Sequence, residues 1–166
     1  MDLYLFRHGK AEERTSSVTS DSKRNLTEYG IKEINIISKS LKGLDVKIDY
    51  LISSPLNRSK QTANILSKDL LKQKKHFLIW DELKPEIPIE QIKKKIRSLN
   101  FSSMMLVGHE PNLSKLIGSI ISDSSKICIL LKKGGFAHIE LFSDRSALHG
   151  TLKSLMTPKQ IKKLCN

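Results

Sequence analysis

The chain has 166 residues, of which 39% are hydrophobic, and a formal net charge of +12. That length suits one domain, residues 1–166, with a core of its own, and no apolar run is long enough to span a bilayer. The two cysteines, Cys128 and Cys165, match no metal or disulfide spacing, and the N-terminus lacks a basic segment followed by an apolar one, so a reduced cytoplasmic protein without a membrane anchor is expected.

In chain order, residues 2–6 are apolar and read as a first strand. A helix is predicted over 27–42, capped by Thr27, stopped by Gly43 and carrying its apolar stripe on Ile31, Ile34, Ile37 and Leu41. Residues 49–53 read as a strand, and 58–72 as a helix that buries Ala63, Leu66 and Leu70. A third strand is predicted over 77–80, then a proline-containing loop and a helix from Ile89 whose apolar stripe is Ile89, Ile92, Ile96 and Leu99. Residues 104–107 read as a fourth strand and 113–121 as a helix apolar around much of its circumference, hence buried. Residues 127–131 and 136–142 read as strands around the turn Gly134-Gly135, 151–156 as another strand, and Pro158 as the first residue of a final helix.

Strands alternating with helices predict an α/β fold: a mostly parallel central sheet with helices on both faces, a three-layer sandwich. Ligands of such sheets bind beyond the carboxyl ends of the strands. At those ends the sequence places Arg7-His8-Gly9, then Ser53-Ser54-Pro55 with Arg58 following, then Asp81-Glu82, and finally Gly108-His109-Glu110-Pro111. Cations beside helix N-termini make a phosphate site. Arginine offers a planar, permanently charged fork of donors that fits phosphate oxygens. Histidine can attack phosphorus through one ring nitrogen while the other keeps its proton, and nearby arginines disfavour the imidazolium, so a lone pair stays available near neutral pH. Gly9 lets the backbone pass close to a ligand. With protein cations neutralising the phosphoryl group, neither a metal nor another cofactor is expected. His76, His138 and His149 have no comparable setting and are read as structural.

The lysines recur in pieces such as Lys72, Lys74 and Lys75, or Lys93 to Lys95, or Lys159, Lys162 and Lys163. Single-strand binders interleave aromatics with basic residues, and aromatics here are 5%. The lysines are therefore read as a solvated face, with the alternative that they select a nucleic acid or an acidic partner left to experiment.

Taken together, the segments "LYLFRHGKA", "SDSKRNLTEYG", "LISSPLNRSKQTA", "DELKP", "MLVGHEPNLS" and "KKGGFAHIEL" resemble, in that order, the histidine phosphatase superfamily, and within it the small bacterial phosphohistidine phosphatases. The resemblance implies a phosphoglycerate mutase-like fold. It makes His8 the phosphorylated nucleophile, with Arg7, Arg58 and His109 completing the phosphate pocket. It places Arg24 near the pocket mouth, makes Gly9 and Asn112 further candidates for substrate contact, and puts Glu82 roughly where larger relatives hold a general acid. Where phosphoglycerate mutases carry Glu-Ser after the Arg-His-Gly tripeptide, this chain has Lys10-Ala11-Glu12. The implied activity is hydrolysis of a phosphoryl group through a phosphohistidine intermediate, with a phosphohistidine on a signalling or phosphotransfer protein as substrate and the enzyme acting as a monomer. The alternatives are a small-molecule phosphomonoesterase, a phosphate-recognising module without turnover, and a nucleic-acid binder.

Overall fold

A computed structural model describes residues 1–13, 18–122, 127–142 and 148–164; Cys165 lies outside them. The strands are β1 (Asp2–Arg7), β2 (Tyr50–Ser53), β3 (Phe77–Ile79), β4 (Ser103–Gly108), β5 (Phe136–Leu141) and β6 (Gly150–Met156). The helices are α1 (Val18–Lys23), α2 (Glu28–Gly43), α3 (Asn57–Leu70), α4 (Ile89–Ser98), α5 (Asn112–Ile121) and α6 (Pro158–Lys163). The sheet order is β3-β2-β4-β1-β5-β6. β1, β2, β3 and β4 run parallel, while β5 pairs antiparallel with both β1 and β6. Only β5 therefore runs against the others.

Alternation along β1 sorts the core into two layers. Leu3 and Leu5 face a cluster with Ile92 and Ile96 of α4 and Leu113, Leu116 and Ile117 of α5. Tyr4 and Phe6 face Ile34, Ile37 and Leu41 of α2, Ala63 and Leu66 of α3 and Ile161 of α6. Helices thus cover both faces, which is why β1 and β4 are apolar on both sides. Among the described residues no helix is long and apolar enough to cross a membrane.

The helix ends follow local chemistry. Thr27 caps α2 by accepting from Gly30 N–H, and Thr157 and Gln160 form a reciprocal capping box at α6, with Pro158 in its first turn. The structure corrects the sequence reading in four places. Gly43 is the last helical residue of α2 rather than its stop; the chain leaves the helix through Leu44 and Asp45, whose φ is 59°. Ile31 is 41% exposed and Gly30 takes its place on the buried face. Residues 127–131 form no strand. Their partner-to-be, β5, is occupied on both sides by β1 and β6, so the segment runs as a strap over the α5 face, anchored by fully buried Leu131. Finally, α1 has no apolar periodicity to announce it; its polar sequence is held by ionic contacts described below.

Because β5 runs backwards, its first residues lie beside the carboxyl end of β1. Gly134, at φ +71°, donates its N–H to the carbonyls of Arg7 and His8 at 2.9 and 3.1 Å, and Arg7 N–H donates to Gly135 O at 3.1 Å. A left-handed residue with a side chain is disfavoured there, so Gly134 is required by this junction and not by a hairpin.

Candidate active site

The site sits where β1 and β4 emerge side by side. His8 N–H donates to Gly108 O at 3.1 Å, so the loop after β1 is stitched to the end of β4, and the rings of His8 and His109 come to rest 5.1 Å apart. Both are nearly buried, at 6% and 3% exposure. His8 Nδ1 lies 2.8 Å from Gly9 O. A carbonyl only accepts, so Nδ1 carries the proton and Nε2 keeps the lone pair. His109 Nε2 lies 2.8 Å from Ser54 Oγ and 3.3 Å from Ser59 Oγ. Among the described residues its Nδ1, like Arg7 Nε, is buried with no hydrogen-bond partner.

Two arginines charge this chamber. Arg7 ends β1 and donates from Nη1 to Leu131 O at 2.9 Å, which ties the strap to the site. Arg58, in the first turn of α3, is 4% exposed and donates from Nη1 to Asp21 O at 2.7 Å and from Nη2 to Asp21 Oδ2 at 3.2 Å. Behind it Thr62 Oγ1 donates to Arg58 O at 2.7 Å and accepts from Gly9 N–H at 3.1 Å, joining α3 to the loop after His8. Burial pushes the His8 imidazole down to about 3, helped by Arg58, Arg7 and Lys133 and opposed by the Gly9 bond. Burial likewise pushes His109 down to about 2, with His8, Arg58, Arg7 and Arg24 adding to the effect. Both rings are neutral at physiological pH.

The structure thus brings Arg7, His8, Arg58 and His109 together. Arg24 stands beside them, donating from Nε to Asp21 Oδ1 at 2.9 Å and from Nη1 to Glu12 O at 2.6 Å. Three other candidates have different surroundings. A Cβ on Gly9 would lie 2.8 Å from Ile34 Cγ1, so glycine is needed there for packing against α2. Asn112 Nδ2 lies 3.0–3.1 Å from the carbonyls of Lys84, Pro85 and Ile87, which commits its amide to the loop before α4. Glu82 pairs with Lys95 Nζ at 2.8 Å, and that bond holds its carboxyl below the ordinary range. Sequence reading named Ser54 only as part of a strand end and missed Ser59, Thr62 and Asp21 as members of the network. Ser54 and Ser59 sit within the quoted "SSPLNRS" run, and Asp21 three residues before Arg24, so spacing was the available signal.

No group of three or more His, Cys, Asp or Glu among the described residues could hold a metal ion. What the chamber holds is a neutral imidazole with a fixed lone pair, a second neutral imidazole, the buried guanidinium of Arg58 and the partly buried one of Arg7, an arrangement suited to an anionic group. The family model described as the histidine phosphatase superfamily (branch 1) matches residues 3–85, and the chain belongs to that superfamily. It is 28% identical over 164 residues to an uncharacterized protein of Picosynechococcus sp., covering 96% of this chain and 98% of the relative. It is 27% identical over 123 residues to the phosphohistidine phosphatase SixA of Escherichia coli, covering 72% of this chain and 74% of that one. Among solved structures, the protein histidine phosphatase SixA complexed with tungstate superposes with a TM-score of 0.83 at 25% identity, over 96% of this chain and 98% of that chain. An Escherichia coli structure described as an alpha-ribazole-5'-P phosphatase shares the fold at a TM-score of 0.73 and 18% identity, over 95% and 98% of the two chains.

Proposed function

We propose that this protein is a phosphatase that takes a phosphoryl group onto His8 Nε2 and then passes it to water, with phosphohistidine on a protein as its favoured substrate. The observation that carries the reading is the His8 Nδ1 to Gly9 O bond at 2.8 Å, which leaves the Nε2 lone pair as the nucleophile in a chamber lined by guanidinium groups. Attack at phosphorus breaks the bond to the leaving group and forms a phosphorus–nitrogen bond; water then attacks the phosphohistidine, releasing inorganic phosphate and restoring neutral His8. Arg7 and Arg58 neutralise the equatorial oxygens as charge spreads over them. In this reading Ser54 Oγ, 2.8 Å away, donates to His109 Nε2, which keeps the His109 proton on Nδ1, where it is donated to a phosphoryl oxygen. That donor and Arg7 Nε, both buried without a partner, are satisfied by the anion.

Glu82, ionised against Lys95, has no proton to deliver. This supports a substrate whose leaving group needs little help, and imidazole leaves more readily than an alkoxide. A small phosphoester is the second reading: at 6% exposure His8 reaches the phosphoryl group itself, so the rest of the substrate is read at the rim. Rapid quenching with labelled phosphoprotein should trap an acid-labile, base-stable phosphoenzyme that is absent from His8→Ala. Fast turnover by the parent enzyme with no trappable intermediate would overturn the assignment. A panel of phosphohistidine proteins against sugar and nucleotide monophosphates ranks the two substrate classes.

A further inference from the structure

α1 contributes one carboxylate to the edge of the site. Asp21 Oδ1 binds Arg24 through Nε at 2.9 Å and Nη2 at 2.8 Å, while Asp21 Oδ2 and its carbonyl receive Arg58 Nη2 and Nη1 at 3.2 and 2.7 Å. Arg24 is in turn fixed by Glu12 O at 2.6 Å. A carboxylate beside a pocket that must accept an anion calls for a reason.

We infer, resting on the phosphatase reading above, that Asp21 is a positioning residue of the phosphoryl site: it fixes the fork of Arg58 and separates the charges of Arg58 and Arg24. An arginine side chain has many rotamers to lose, and a phosphoryl group is bound well only by donors already aimed at it. Two points of attachment on one residue, a carbonyl and a carboxylate oxygen, set the plane of the Arg58 guanidinium. Without the carboxylate, two guanidinium groups would face each other in a partly buried space, where like charges repel far more than in water. With it, one of the three guanidinium charges of Arg7, Arg24 and Arg58 is offset while a net positive field is left for the phosphoryl group. Burial opposes ionisation of Asp21, but Arg58 and Arg24 outweigh it and hold the carboxyl below its ordinary value, so the clamp stays charged at physiological pH.

The test is Asp21→Asn, which keeps the shape and the backbone carbonyl but loses the charge. Affinity for inorganic phosphate, read by calorimetry, should fall about tenfold, and kcat/KM for p-nitrophenyl phosphate by at least as much, with the larger share in kcat. Asp21→Glu should recover part of both. Thermal unfolding should move little, since the residue lies on an edge helix. In an Arg58→Lys background, where no fork remains to be aimed, the same substitution should add less than about twofold. Tighter phosphate binding by Asp21→Asn would show that the carboxylate merely opposes the anion, and unchanged affinity, or a full tenfold loss added to Arg58→Lys, would equally overturn the inference. Because phosphate binding needs no turnover, a parent chain that binds phosphate through Asp21 but hydrolyses no phosphoester would sink the phosphatase reading and leave the role of Asp21 standing.

Discussion

His8 and His109 are imidazoles that folding forces to stay neutral, and this has a consequence for stability as well as for reactivity. Their values of about 3 and about 2 lie below the 6.5 of a free imidazole. Below pH 6.5 the unfolded chain therefore takes up protons that the folded chain refuses, and stability drains away as pH falls toward 3. Between pH 7.5 and pH 5 each residue should lower unfolding free energy by about 2 kcal/mol. Urea unfolding of the parent protein and of His8→Gln/His109→Gln across that range checks this: the parent should lose stability steeply and the double variant should show a much flatter dependence. A parallel loss in both would place the acid sensitivity elsewhere. The same neutrality keeps the His8 lone pair available, so activity need not decline with these two groups until well below pH 5.

The segments that shape the chamber are held from behind by polar clips as well as by apolar packing. Asn112, at the start of α5, gathers the carbonyls of Lys84, Pro85 and Ile87 and so pins the loop between β3 and α4 against α5. Asn112→Ala removes the shared donor of three part-buried carbonyls and should cost about 1 kcal/mol of stability, read as a lower Tm, with faster amide exchange at Lys84 to Ile87 and an unchanged KM for a small phosphoester. A raised KM with an unchanged Tm would instead make Asn112 a substrate contact. These elements also mark where a linear reading stops. The strand-ends rule placed Arg7, His8, Arg58 and His109 on one edge because each follows a strand whose apolar run is visible. Periodicity could not show that Asn112 faces three carbonyls or that Gly9 lies against Ile34, because both facts depend on how separate elements meet. For residues 127–131, apolar content was legible but the competitor was not: β6, from further along the chain, takes the edge of β5 that a hairpin would have used. α1 was invisible because arginines hold it, and ionic partners leave no period in the sequence.

Across the whole molecule, eight acids among the described residues are tied to lysines. Asp45, Asp49, Asp69, Asp81, Glu33, Glu82, Glu90 and Glu140 each pair with a lysine, so the net charge of +12 is carried by lysines facing solvent. Lys132 and Lys133 are exposed at the foot of β5, and Lys133 is close enough for His8 to feel its charge. An acidic phosphoprotein should be drawn in by this field. Raising salt should therefore lower kcat/KM for such a substrate more than for a small phosphoester, since both meet the same pocket cations and only the larger one spans the surface. Equal salt sensitivity would remove the surface lysines from substrate choice.

The position of β1 has a bearing on how the molecule is made. This strand leaves the ribosome well before its two neighbours in the sheet, which begin at Ser103 and Phe136. Leu3, Leu5 and Phe6 must remain without strand partners until β4 and β5 have been synthesised, and pairings so remote in sequence close slowly. The nascent chain thus offers an unpaired apolar strand to chaperones or to other nascent chains until β4 emerges. The chamber stays incomplete during that time, because His109 and the glycine junction at Gly134 belong to segments made later.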